Sequence, residues 1–193
     1  MATNIEIEAK VLISKNDYNK IIDYYKTTKF EKLFQINHYI DTDNLRLKGF
    51  GIGLRIREKN DGSLELTMKC PLAEGLLEKN QNITRQEYED LKENNVFPNG
   101  QIKSFTEMLG IQTNTLKILT SLKTHRLEYK FDNNVFSIDK NEYNSITDYE
   151  LEMEANSIKK ATEDLKAVCE KVGIDFQPNA KSKQLRAMST IKN

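Results

Sequence analysis

The 193 residues suit one domain, long enough to bury about 70% of the surface of its unfolded chain, so folding requires neither disulfides nor a metal. Lys and Arg (29) balance Asp and Glu (29) at a sequence pI near 6.8, which excludes a general nucleic-acid or acidic-membrane binder and confines any polyanion affinity to a local cluster. Cys70 and Cys169 form no metal-binding spacing, no basic-then-apolar leader opens the chain, and no run approaches ~18 apolar residues, so a reduced, cytoplasmic, non-membrane protein is expected.

The first element, NIEIEAKV, predicts a strand with Ile5, Ile7, Ala9 and Val11 on one face and Glu6, Glu8 and Lys10 on the other. Ser14, with Asp17 three residues on, predicts a helix start, and Tyr18, Ile21, Ile22 and Tyr25 then recur at helical spacing. QINHYIDT reads as a second strand. Beyond the turn-rich DNLRLKGFGIG, the alternating GLRIREK and SLELTMKC are joined as a hairpin around NDG. GFGIG neither follows a βα pattern nor ends in GK[ST], so it is a strand-to-strand turn and not a nucleotide loop.

The middle is more helical. TRQEYEDLKE carries a capping box of Thr84 and Glu87, and GQIKSFTEMLGI ends near Gly110. THRLEYKF, NVFSIDKN and DYELEMEA then predict a second meander. A final amphipathic helix runs from about Ser157, with Ile158, Ala161, Leu165, Val168 and Val172 on one stripe and Gly173 as its stop, before a basic KSKQLRA. His38 and His125 have no ligand spacing and are expected to be ordinary strand residues. With no repeat, linker or low-complexity segment, residues 1–193 read as one α+β domain dominated by antiparallel strands.

The charged faces are the unusual feature. Arg55 and Arg57 share a face, as do Glu65, Thr67 and Lys69; Arg126, Glu128 and Lys130 share another; and Glu150, Glu152 and Glu154 form a row opposite Leu151 and Met153. Glutamates at alternate positions lie ~7 Å apart and repel by about 2 kcal/mol per neighbouring pair when partly shielded from water, so something cationic belongs nearby. Carboxylate clusters suit hard cations such as Mg²⁺ or Mn²⁺, and Arg55, Arg57, Lys69 and Arg126 form an opposite pole suited to phosphate oxygens. A strongly curved or closed sheet would turn these faces inward and pack its apolar rows outward on helices; an open sheet with a wet face also satisfies the alternation.

Together these residues resemble the CYTH domain family, or triphosphate tunnel metalloenzymes, which includes thiamine triphosphatases, inorganic triphosphatases and a class of bacterial adenylate cyclase. The most specific element is ExExK, here Glu6, Glu8 and Lys10, followed in order by YIDT at 39–42, LRIR at 54–57, Lys69, Arg126, Asp139, ELE at 150–152 and KSK at 181–183. The nearest likeness is to small single-domain members of Firmicute type.

The resemblance implies an antiparallel eight-stranded closed β-barrel, a tunnel with a charged lumen and helices packed outside. It implies a metal set of Glu6, Glu8, Asp139, Glu150 and Glu152, with Mg²⁺ or Mn²⁺ as the ion. Substrate binding falls to Lys10, Arg55, Arg57, Lys69, Arg126 and Lys183. The implied catalytic residues are Lys10, as a lysine of lowered pKa, Glu8 on the metal shell, and Tyr39 in support. Glu154 and Lys181 compete with their neighbours Glu152 and Lys183. The expected activity is metal-dependent hydrolysis of inorganic triphosphate or a small organic triphosphate such as thiamine triphosphate. Alternatives are adenylate cyclase action on ATP or a non-catalytic module that binds a triphosphate or nucleotide. The expected partner is the small-molecule triphosphate, with a possible homodimer.

Overall fold

The opening strand separates its two faces as the alternation requires, but it is divided. In the computed structural model, which describes residues 2–73, 75–179 and 181–191, Ala2–Glu6 forms β1 and Glu8–Ile13 forms β2, with Ile7 between them. The other strands are Glu31–Asp41 (β3), Gly53–Lys59 (β4), Leu64–Pro71 (β5), Leu76–Ile83 (β6), Lys117–Phe131 (β7), Asn134–Tyr143 (β8) and Ile146–Glu154 (β9). All pair antiparallel in the order β1-β6-β5-β4-β3-β7-β8-β9-β2.

The two strands at the ends of that order are consecutive in the chain, so the sheet curls into a nearly closed barrel. The expected count of eight strands becomes nine because the opening stretch changes partner at Ile7, from β6 to β9. Across the change, the Ile7 carbonyl accepts from Ala155 N at 3.1 Å. Gly75, at φ +78°, makes the close approach possible. A Cβ there would lie 2.5 Å from the Glu6 carbonyl oxygen and 2.9 Å from Ile7 Cγ1.

The barrel is apolar outside and polar inside. Leu54, Ile56, Leu66 and Met68 face outward and bury against Arg85–Asn94 (which we number α3, after Lys15–Tyr24 as α1 and Arg46–Gly49 as α2) and Gln101–Met108 (α4), through Tyr88, Leu91 and Ile102. On the other side Val11, Ile138, Leu151 and Met153 pack on Ile21 of α1 and on Ala161, Leu165 and Cys169 of Ile158–Val172 (α5). Each such fully buried side chain stabilises the fold by about 1.5–3 kcal/mol, and the helices thus do the work that a filled barrel interior does elsewhere.

The helix starts behave as predicted. Ser14 accepts from Asp17 N, Thr84 and Glu87 form the capping box, Ser157 caps α5, and Gly173 ends it at φ 68°. Two details differ. Cys169 completes the buried stripe of α5, whereas Ile158, at the first position of the helix, is 46% exposed. β6 was not read from the sequence, since LLEKNQNI has no apolar alternation: its inner face carries Glu78 and Asn80 and its ladder is fixed by β1 and β5.

The last helix, Lys183–Met188 (α6), closes part of the interior. Ala187 and Met188 bury against Tyr39, Leu122 and Tyr143, and Ser182 caps the helix start by accepting from Leu185 N.

Candidate active site

One cavity of about 670 Å³ runs through the barrel interior. Ten of the twelve residues expected to form the site line it: Glu6, Glu8, Lys10, Tyr39, Arg55, Arg57, Lys69, Arg126, Glu152 and Lys183. The other two, Asp139 and Glu150, are fully buried in the wall directly beneath. A depression of about 720 Å³ on the outer surface, by Ser14, Lys140 and Tyr149, is shallow and holds none of this machinery.

Asp139, Glu150 and Glu152 make the acidic pole. Asp139 and Glu150 face one another across β8 and β9, Glu152 is paired with Lys10 on β2, and each of the three offers an oxygen within 4.8 Å of the others. Arg126, opposite Asp139 on β7, forks onto it through Nε (2.8 Å) and Nη2 (2.7 Å) and also contacts Glu152. Lys183 Nζ reaches Asp139 at 2.9 Å, Glu150 at 2.7 Å and Glu152. Burial alone would push the Glu152 carboxyl up, but Lys183, Arg126 and Lys10 hold it well below the ordinary carboxylate range. Burial opposes the charge on Arg126 and Lys183 as well, yet the facing carboxylates raise both pKa values.

Arg55, Arg57 and Lys69 make the basic pole, on β4 and β5. Lys69 contacts Glu6 and lies 3.2 Å from Glu78 Oε2, which Arg55 Nη2 also approaches at 3.9 Å, while Asn80 donates to Glu78 Oε1 at 2.8 Å. Burial would raise Glu78, but Lys69 and Arg55 pull its pKa down to about 2. Arg57 has no carboxylate partner among the described residues; its Nε donates to Asn37 at 3.1 Å. Burial, then Arg55 and Arg126, push its pKa down to about 9, so it stays mostly charged at neutral pH. The Arg55 Nε is buried without a hydrogen-bond partner. This pole holds more positive charge than its carboxylates satisfy, the condition for anion binding.

The structure corrects one expectation and places the residues of three others. Lys10 does not have a lowered pKa: burial acts downward, but the adjoining Glu8 and Glu152 outweigh it and raise the value, so the ammonium is an oxygen-binding cation. Tyr39 is 2% exposed and packed into the apolar cluster beside α6, with no hydrogen bond to Lys10 among the described residues. Lys183 enters the lumen while Lys181 is exposed and uses its backbone carbonyl to receive Arg186. Glu152 joins the carboxylate set while Glu154 is exposed at the strand end.

Arg186 was missed. It is 7% exposed and holds Glu150 with two bonds of 3.0 Å while its Nε reaches Asp148 at 2.9 Å. Asp148 also accepts from Tyr143 (2.7 Å) and Asn141 (3.0 Å), so α6 is riveted to the acidic pole. The available signal was spacing: Lys183 and Arg186 are three apart and share a helix face. Glu78 lay in the unread strand and left no such signal.

The donor set fits a hard divalent cation. Asp139, Glu150 and Glu152 supply only oxygens and cluster within one ion's reach, and Glu152 lines a cavity with room for a polyphosphate.

A curled antiparallel sheet with helices outside and opposed acidic and basic poles inside defines a charged-lumen β-tunnel. The CYTH domain profile matches residues 4–181, and the chain belongs to that family. It is 37% identical over 155 residues, 80% of each chain, to a Bacillus subtilis (strain 168) protein named provisionally as triphosphatase YjbK. A crystal structure from Bacillus halodurans, named provisionally as an adenylate cyclase, superposes with a TM-score of 0.86 at 34% identity, over 96% of this chain and 98% of that one. The fold is shared with HpAC1 from Hippeastrum, TM-score 0.78 at 22% identity over 96% and 95%, a provisional adenylyl cyclase described as having a dominant triphosphatase activity.

Proposed function

We propose that this protein is a metal-dependent triphosphatase acting on inorganic triphosphate or a small organic triphosphate such as thiamine triphosphate. The observation that carries the reading is the convergence, lining one cavity, of Arg55, Arg57, Lys69, Arg126 and Lys183 with Glu152, whose carboxylate clusters with the buried Asp139 and Glu150. The provisional triphosphatase name of the Bacillus subtilis relative supports it.

Asp139, Glu150 and Glu152 would hold Mg²⁺ or Mn²⁺, with Glu6 and Glu8 at the edge of the set, and the ion would neutralise charge on the phosphoryl oxygens. Arg55, Arg57 and Lys69 bind and straighten the anion, and about four negative charges on a triphosphate answer the excess charge of this pole. Lys10 and Arg126 stabilise the charge that develops on the transferred phosphoryl oxygens. Glu8 takes a proton from the attacking water, a role supported by burial and the neighbouring Glu152, which raise its pKa despite Lys10. Tyr39 supports the wall on which Arg55 is mounted, its directly paired residue on β4.

The test is phosphate release from inorganic triphosphate, thiamine triphosphate and ATP with Mg²⁺, Mn²⁺ or chelator, for the native protein and for Glu8→Gln and Arg57→Ala. Metal-dependent turnover that both substitutions abolish is the expected result. Cyclic AMP formed from ATP without phosphate release would transfer the reading to a cyclase, and metal-dependent triphosphate binding without turnover to a binding module.

A further inference from the structure

The oxygens suited to a divalent ion already face an internal cation. Lys183 Nζ lies 2.9 Å from Asp139 Oδ2 and 2.7 Å from Glu150 Oε2 and also touches Glu152, so its ammonium sits among the same three carboxylates that could hold a metal. An ion there and an ammonium there would share ligands and repel one another, and only one can have the place.

The two arginines beside Lys183 in the acidic pole are fixed differently. Arg126 projects from β7 and forks onto Asp139; Arg186 holds Glu150 and Asp148 from the second turn of α6, and its Nη1 also donates to the Lys181 carbonyl at 2.9 Å. Lys183 by contrast has a flexible four-carbon stem, no fork, and a position at the first turn of α6. It is the cation that can leave while Arg186 keeps the helix in place. The same cavity offers a destination, since the basic pole draws in a polyanion and that polyanion presents oxygens to an ammonium in the lumen.

We propose that Lys183 is an exchangeable counter-cation: triphosphate draws it off Asp139, Glu150 and Glu152, and the divalent ion takes the oxygens it leaves. This rests on the triphosphatase reading and adds regulation to it. Metal alone binds weakly, triphosphate and metal bind cooperatively, and the carboxylates are never left without a positive charge.

The test measures Mn²⁺ alone, without substrate, by the resonance signal of the free ion and by the ion's effect on the melting temperature. Lys183→Met should bind Mn²⁺ at least about tenfold more tightly than the native protein, because a competing charge has been removed from among the ligands. Its melting temperature without metal should be lower, and Mn²⁺ should raise it more. Lys183→Arg, which keeps a cation, should resemble the native protein. If the Met variant does not fold, Lys183→Gln carries the same expectation. Equal or weaker Mn²⁺ binding by a folded neutral variant overturns the exchange while leaving the metal site intact. Absence of Mn²⁺ binding in every variant overturns the exchange and the metal site together, whereas phosphate release under native conditions would still report on the triphosphatase reading by itself.

Discussion

Arg126 and Asp139 stand directly opposite on β7 and β8 and share two parallel hydrogen bonds, Nε to Oδ1 at 2.8 Å and Nη2 to Oδ2 at 2.7 Å. Asp139 is fully buried, so this fork supplies much of what keeps its charge tolerable inside the wall. Arg126→Met should therefore destabilise the protein by about 3 kcal/mol or more, whereas Arg126→Lys, which retains charge but not the fork, should lose less. Urea unfolding midpoints at constant slope report both; equal losses for Met and Lys would show that charge, not the fork, is immaterial to Asp139.

Arg57 shows the opposite relation between stability and binding. Half-buried beside Arg55 and Arg126 and answered among the described residues by Asn37, it disfavours the empty fold while equipping it for an anion. Arg57→Met should raise thermal stability without substrate, by ~1 kcal/mol, and raise KM for the preferred triphosphate roughly 10- to 100-fold. Melting curves and steady-state kinetics separate the two effects, and a destabilised variant would contradict the strain.

Glu78 ties pH to stability. Its carboxyl is at about 2 in the folded protein against an ordinary 4.5, so the folded state binds fewer protons than the unfolded one between those values. The sign follows directly: the contribution is complete above about pH 4.5 and is lost as pH falls toward 2. Glu78→Gln should flatten the acid side of the stability curve in that window relative to the native protein. Unfolding midpoints measured from pH 5 to 2.5 decide it, and parallel curves would sink the assignment.

Gly75 packs against the backbone at the point where the barrel closes. With φ +78° and a Cβ position 2.5 Å from the Glu6 carbonyl oxygen, Gly75→Ala must move the backbone where β1 gives way to β2. A loss of about 2–3 kcal/mol is expected, with faster amide exchange at β1 and β6 than at β7 and β8. Uniform exchange across the sheet would argue against a local closure defect.

Much of the fold was legible because alternation and capping are local. The Glu6–Glu8–Lys10 face, the Arg55–Arg57 face, the ELE row and the helix starts at Ser14, Thr84 and Ser157 are set by side-chain period and by which residues can satisfy free backbone groups. The same local logic did not reach β6, whose polar inner face and weak outer one make no pattern, or the tail, where Ile158 turned out exposed and Cys169 buried.

By itself the sequence determined that its charges would lie in rows, that apolar rows would back them, and that helices of fitting amphipathicity would cover those rows. Only the tertiary structure decided that the rows face inward, since the split at Ile7 joins the two sheet edges and brings β2 beside β9. Tertiary structure also selected Lys183 over Lys181, placed Arg186 on Glu150, and paired Glu78 with Lys69. These contacts join positions from 9 to 36 residues apart, and no local periodicity specifies which partner a curled sheet and a returning helix will present.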